Sequence, residues 1–298
     1  METAITLNVP CKINLHLAVG PRRLDGFHDI GSIFLALDWG DILHFSVEGP
    51  SACWSLAGGE PIPVYENLVS KAVTLFREAS GDMRGLACRL EKRVPPGSGL
   101  GGGSADAAYT LLACNRLCGN PLSHDILMKL ATRLGSDVPF FLHGPCAWVE
   151  GRGELIHPLD IIPTLCVLLV IPPVHSNTGQ AFSLLDRARE EGLALREAAS
   201  RSVLVEALHG EPSSWPFFND FYAAFLREDG DPLHCVRILD ALKALGASFS
   251  DLSGSGSACF GVFPDALLAA KAARQLSVEG NICRVVNPLA RGPNTVVQ

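Results

Sequence analysis

The stretch Pro95-Pro96-Gly97-Ser98-Gly99-Leu100-Gly101-Gly102-Gly103-Ser104-Ala105-Asp106-Ala107-Ala108 places five glycines within seven residues and runs straight into a good helix former. Glycine reaches positive φ without strain and leaves no Cβ between its amide and a ligand, so such a loop can wrap closely around phosphate oxygens. The apolar spacing predicts a helix over 107–117, with Ser104 as its N-cap and Asp106 in a first turn. Open amides and the positive end of the helix dipole then face the loop, which makes it an anion site. A flexible surface linker is the alternative, but linkers of this composition are usually followed by polar sequence rather than a compact apolar helix. Two common phosphate fingerprints do not fit. A Walker loop carries a lysine after its last glycine, where this chain has Ser104-Ala105, and the Rossmann spacing G-x-G-x-x-G is only partly met over 97–102.

The loop does resemble the P-x-x-x-G-L-G-G-G-S-x-x-A-A segment of the GHMP kinase superfamily, which comprises galactokinases, homoserine kinases, mevalonate kinases and phosphomevalonate kinases. The resemblance implies that Pro95, Pro96, Gly97, Ser98, Gly99, Leu100, Gly101, Gly102, Gly103 and Ser104 hold the phosphates of ATP. It also implies that the lysine Walker enzymes place in the loop comes from elsewhere in the chain.

Composition bounds the rest. A chain of 298 residues with 48% hydrophobic content can bury one large core or two ordinary ones. A formal charge of -7 without a long basic run argues against a nucleic-acid surface and for a small-molecule partner. The ten cysteines include no C-x-x-C pair and follow no secretory signal, so we expect free thiols in a cytoplasmic protein. Cys114 and Cys118 share a helix face but have no further ligand at metal spacing, and we expect buried small residues there and no structural metal. The longest apolar run, 161–174, is broken by Pro163, Pro172 and Pro173 and is too short to span a bilayer; it reads as a buried strand. We expect a monomer or weak homodimer away from membranes.

Along the chain, 5–19 reads as one strand whose polar face carries Lys12, Asn14 and His16 at period two. Cys11-Lys12-Ile13-Asn14-Leu15 resembles the A-K-[IL]-N-L segment of one branch of the superfamily, the 4-diphosphocytidyl-2-C-methyl-D-erythritol kinases, with cysteine in place of alanine. The Asp25-Gly26 pair marks a hairpin tip. Arg23-Leu24-Asp25-Gly26-Phe27-His28 also matches that branch's R-x-D-G-[YF]-H signature, which implies that Phe27 and His28 line a pocket for a cytosine ring; His28 as a satisfied loop histidine is the alternative. Strands follow at 33–37 and 41–47, then a surface excursion over 49–63 without clear period. A helix over 68–79 carries an apolar stripe with Asn67 as N-cap, and the resemblance adds that this asparagine approaches the adenine.

A strand over 86–94 feeds the glycine loop, and a second helix over 125–134 stops at Gly135. Asp137 precedes an interior Val-Pro-Phe-Phe run and could be a turn or capping residue. Its segment matches the branch's G-[AS]-D-V-P-F-F motif, which implies a catalytic base. Gly151-Arg152-Gly153 closes a hairpin. The prolines of 158–163 suggest a crossing between an N-terminal ATP-binding domain, 1–160, and a C-terminal substrate-side domain, 161–298. Thr178 and Phe182 resemble the branch's substrate-side threonine and base-stacking aromatic. Residues 190–207 read as a helix with a solvated face, and 215–225 as core packing. Gly254-Ser255, within Leu252-Ser253-Gly254-Ser255-Gly256-Ser257, is a tight turn that also resembles the superfamily's second phosphate-side glycine turn.

Together the resemblances run in the family's order over 11–261. They imply a two-domain α+β GHMP kinase fold, with an N-terminal ribosomal-protein-S5-domain-2-like ATP domain, a C-terminal ferredoxin-like domain and the active site in the cleft between them. The implied reaction moves the γ-phosphoryl of ATP, carried with Mg²⁺ near Ser104, onto the 2-hydroxyl of 4-diphosphocytidyl-2-C-methyl-D-erythritol. Asp137 would be the base, Lys12 would stabilise charge on the transferred group, and Asn14 would orient the substrate. Homoserine or a mevalonate as acceptor, or a nucleotide-binding sensor without turnover, are the competing readings.

Overall fold

The computed structural model describes residues 2–59, 63–193, 195–228 and 233–292. Among these, three four-stranded sheets carry the fold. The first has the order β1 (Ala4–Asn8), β4 (Ile42–Val47), β6 (Leu86–Glu91), β5 (Trp54–Gly58), and the second β2 (Cys11–Arg22), β3 (His28–Leu37), β7 (Cys146–Gly151), β8 (Leu155–Pro158). The third is β10 (Phe249–Leu252), β11 (Cys259–Phe263), β9 (Cys166–Ile171), β12 (Ile282–Val286). Helices α1 (Leu68–Ser80), α2 (Gly102–Leu117), α3 (His124–Leu134) and α4 (Phe140–His143) accompany the first two sheets. Helices α5 (Thr178–Glu190), α6 (Arg201–Ala207), α7 (Asp220–Phe225), α8 (Cys235–Ala244) and α9 (Ala266–Ser277) belong to the second half.

The strand expected over 5–19 is two strands in different sheets. Pro10 lacks an amide to continue a ladder, so the chain leaves the first sheet after Asn8 and enters the second at Cys11. The apolar alternation runs on across this break, which conceals it in the sequence. Within β2, Cys11, Ile13 and Leu15 point into a core shared with β3, β7, β9 and β11, which leaves Lys12 and Asn14 on the other face. A register shift against β3 between Asn14 and His16 marks a bulge.

β9 shows how the two halves are joined. Val167, Leu169 and Ile171 pack into the core shared with β2 and β3, whereas Leu168 and Val170 pack beneath α5, α8 and α9. A strand covered on both faces reads as a continuous apolar run, and Cys166-Val-Leu-Leu-Val-Ile171 is one. All pairings in this third sheet are antiparallel, and its order 10-11-9-12 with α8 and α9 packed on it is the ferredoxin-like arrangement. In the first half, α1 buries Val69, Val73 and Phe76 against the first sheet and α2, each such side chain contributing about 1.5–3 kcal/mol.

Three local expectations are corrected. The excursion over 49–63 contains β5, which pairs parallel to β6 and is short, exposed and weakly patterned. The helix expected over 190–207 is interrupted: α5 ends at Glu190, Gly192 turns the chain at φ 88°, and helix resumes only at Arg201; Ala194 lies outside the described residues. Finally, α2 begins at Gly102, so Ser104 is inside its first turn and is not the N-cap. Gly101 holds the cap position in the left-handed region, φ 71°, with no side-chain hydrogen bond. The ten cysteines are free thiols, Cys114 and Cys118 among the buried ones. Among the described residues no helix is long and apolar enough to cross a membrane.

Candidate active site

The glycine loop owes its shape to close approaches that a side chain would prevent. Gly97, Gly99 and Gly101 alternate through positive φ, and a Cβ on Gly99 would stand 2.1 Å from Ser253 O. Both halves of the chain tie the loop down. Ala258 N–H donates to Ser98 O at 2.9 Å, Ser253 Oγ to Gly99 O at 3.0 Å, Ser176 N–H to Gly97 O at 3.1 Å and Lys12 N–H to Leu100 O at 2.9 Å. With carbonyls spent on these contacts and α2 uncapped, amides of the loop and of the first turn of α2 are left facing a cavity of about 920 Å³, a cradle suited to phosphate oxygens.

The cavity wall includes Lys12, Asn14, Phe27, His28, Asp137, Thr178 and Phe182, together with Gly254 and Ser255, which the fold brings opposite the glycine loop. Thr178 Oγ1 lies 3.1 Å from Ser255 Oγ. Every loop residue from Pro95 to Ser104 lines it except Leu100. Leu100 is fully buried in the core with Ile13 and Phe260, so only its backbone serves the loop. Asn67 is likewise not in the wall: its side chain caps α1 by accepting Val69 N–H at 2.9 Å, and Leu68 reaches the cavity instead.

In the cavity wall, Lys12 Nζ is 3.5 Å from Asp137 Oδ2 and donates to Asn14 Oδ1 at 2.7 Å, while Asn14 Nδ2 donates to Ser32 Oγ at 2.9 Å. The Lys12 side chain is 4% exposed and Asp137 32%. Burial pulls the Lys12 ammonium below the ordinary lysine value, and the neighbouring Asp137 carboxylate opposes that fall. A partly exposed carboxylate beside a buried cation can accept a proton from a hydroxyl in the cavity while the cation balances the charge that develops. The far end is aromatic: the His28 ring stacks on Phe182 at 4.7 Å, Phe182 meets Phe221 edge-on at 4.9 Å, and the Arg152 guanidinium lies 4.7 Å over Phe27.

Several contributors escaped the sequence reading. Lys92 bridges Asp41 at 2.6 Å and Asp106 at 3.0 Å behind the glycine loop, and Asp41 Oδ1 accepts the amides of Arg93 and Val94. Asp106 therefore belongs to a buried ion cluster, not to a helix first turn, and burial pushes its carboxyl up to about 7 despite Lys92. No local pattern joins these three residues. Asp186 could have been found, because it follows Phe182 by one helical step of four and so shares its face of α5. Arg22, Arg152 and Arg187 also reach the cavity.

The chain matches the family model "GHMP kinases N terminal domain" over residues 67–145 and "GHMP kinases C terminal" over residues 234–281. It is 38% identical over 271 residues to a 4-diphosphocytidyl-2-C-methyl-D-erythritol kinase of Xanthomonas euvesicatoria pv. vesicatoria (strain 85-10), covering 90% of this chain and 85% of that one. Against the protein of the same description from Treponema pallidum (strain Nichols) identity is 37% over 268 residues, with 88% and 91% covered. A crystal structure of a 4-(cytidine 5'-diphospho)-2C-methyl-D-erythritol kinase superposes with a TM-score of 0.81 at 32% identity, covering 96% of this chain and all (100%) of that one. A homoserine kinase from Cytophaga hutchinsonii ATCC 33406 superposes with a TM-score of 0.71 at 21% identity, over 98% of this chain and 97% of that one, a likeness of fold.

Proposed function

Because the chain belongs to the GHMP kinase superfamily, and within it to the 4-diphosphocytidyl-2-C-methyl-D-erythritol kinases, it is an ATP-dependent kinase of a small alcohol, and we propose that its acceptor is the 2-hydroxyl of 4-diphosphocytidyl-2-C-methyl-D-erythritol. Its two-domain architecture, an α/β N-terminal domain and a ferredoxin-like C-terminal sheet domain, is that of the superfamily. The observation that carries the substrate reading is the continuity of the cavity. One space is lined by the glycine loop, by Lys12 and Asp137, and by Phe27, His28 and Phe182. A small amino alcohol or hydroxy acid has no use for that aromatic lining, whereas a cytidyl group stacks on it.

In this reading the loop amides and the start of α2 hold the phosphates of ATP, and Asp137 takes the proton of the acceptor hydroxyl. Lys12 offsets negative charge on the group in flight, and Asn14, fixed between Lys12 and Ser32, orients the alcohol. Asn67 serves adenine only through the position of α1. The Mg²⁺ that accompanies ATP fits beside Ser104, whose hydroxyl lines the cavity and makes no hydrogen bond among the described residues. When bound, the ion neutralises phosphate charge. The protein then acts in the non-mevalonate route to isoprenoid precursors, in the cytoplasm.

ADP release measured with the cytidyl alcohol, homoserine and mevalonate, for wild type and Asp137→Ala, tests both parts. Turnover is expected with the cytidyl alcohol alone, and the variant should lose about 10²- to 10⁴-fold in kcat, the usual worth of a general base. Comparable turnover of homoserine would sink the substrate reading. Tight ATP binding without ADP from any alcohol would favour a sensor.

A further inference from the structure

We propose that Asp186 is a positioning residue that sets the tautomer of His28, and that this makes the aromatic end of the cavity select a pyrimidine with a 4-amino group over one with a 4-oxo group. The inference rests on the reading that the nucleobase of the substrate lies at His28.

His28 begins β3 with its side chain 4% exposed, yet it lines the cavity. Its Nε2 lies 2.9 Å from Asp186 Oδ1. A carboxylate only accepts, so the proton of a neutral His28 sits on Nε2 and Nδ1 is left with a bare lone pair. That nitrogen makes no hydrogen bond among the described residues and is not sealed from solvent, so the acceptor it presents is available to a ligand. The ring cannot turn freely to present its other edge, because Phe182 stacks on its face at 4.7 Å with the planes 17° apart.

Asp186 is itself held in place. It stands one helical step after Phe182 on α5, so one face of the helix delivers both the stacking ring and the carboxylate. The Arg189 guanidinium lies 3.7 Å from the same Oδ1 and donates to the carbonyls of Gly20, at 2.8 Å, and Val19 at the end of β2. The carboxylate is thereby fixed relative to both strands that frame the base pocket. Cytosine presents its N4 amine as a donor where uracil presents the O4 acceptor. Opposite a bare Nδ1, the amine makes a hydrogen bond and the carbonyl sets two lone pairs against each other. A buried polar group left unpaired by the wrong base discriminates more strongly than a change of shape.

The test compares the cytidyl alcohol with its uridyl counterpart in wild type, Asp186→Asn and Asp186→Glu, and reads the His28 tautomer from the ¹⁵N shifts of the labelled protein. Wild type should favour the cytidyl substrate on the order of tenfold to a hundredfold in kcat/KM, through KM, with the proton on Nε2. The Asp186→Asn amide can donate to Nε2 and so move the proton to Nδ1. This variant should raise KM for the cytidyl substrate and collapse the preference while kcat is kept; Asp186→Glu should restore much of it. An equal loss on both substrates with an unchanged ratio, or a wild-type proton on Nδ1, overturns the proposal. A wild type that phosphorylates homoserine and neither nucleotide alcohol overturns the substrate reading, and the selectivity with it. The ¹⁵N spectrum still decides the tautomer in that case, so the two failures are told apart.

Discussion

Replacing Lys92 by methionine keeps most of the side chain's length and removes the ammonium that stands between Asp41 and Asp106. The three side chains are 14%, 0% and 4% exposed. Asp41 would keep the amides of Arg93 and Val94 as donors. Asp106 would keep only the neighbouring Asp41 carboxyl, which repels it while both are ionised, since Lys92 serves its Oδ2 and its Oδ1 already lacks a partner. Breaking a buried pair in this way costs about 3–5 kcal/mol, which for a chain of this size lowers the melting temperature by on the order of 10 °C. The loss should depend on pH in a defined direction. Burial raises the Asp106 carboxyl to about 7 in the fold, above its ordinary 3.8, so the folded state favours the protonated form. Acidification below that value neutralises the group and removes its need for the ammonium, and without Lys92 it protonates at still higher pH. Thermal unfolding of wild type, Lys92→Met and Lys92→Met/Asp106→Asn at pH 8 and pH 5.5 would check this. The deficit of the single variant should be largest at pH 8, shrink at pH 5.5, and be largely recovered in the double variant at pH 8. Equal deficits at both pH values, or no recovery in the double variant, would refute the assignment of the loss to Asp106.

Two further expectations concern the loop and the second sheet. Gly99→Ala forces a Cβ against Ser253 O, 2.1 Å away, at φ 78°, so the glycine loop and the opposing turn must separate; calorimetric titration should show ATP affinity reduced at least tenfold, and unchanged affinity would count against the loop as the phosphate cradle. His16 is held neutral by burial, with its protonation lowered from 6.5 to about 4. The unfolded chain takes up that proton first, so stability falls as pH drops from 6.5 toward 4, by about 3 kcal/mol at most. Urea unfolding at pH 7 and pH 4.5 should show a smaller acid loss in His16→Gln than in wild type, and an equal loss would remove His16 from the account.

How much was legible from residues alone varies with how local the cause is. The cap at Asn67, the turn at Asp25-Gly26, the apolar β9 and the glycine loop each depend on a few consecutive residues, whose φ preferences or periodicity act without the rest of the chain. Misreadings arose where a local pattern had two continuations. Alternation ran past Pro10 although the chain changed sheets there, and helix-forming residues continued past Gly192 although the helix did not. Ser104 looked like a cap because nothing in the sequence says that Gly101, already in the left-handed region, has ended the loop one turn earlier.

The sequence by itself determined the order of the motifs, the chemistry each could perform and the glycine-rich, wrapping character of residues 95–104. The tertiary structure decided which of them meet. Gly99 touches Ser253 across 154 residues, His28 donates its Nε2 hydrogen bond to a carboxylate 158 residues away, and Lys92 is neutralised by an aspartate 51 residues before it. Such pairs leave no periodic trace. A side chain's partner across a cavity is set by how sheets and helices pack, and packing responds to the shape of whole faces rather than to neighbours in sequence.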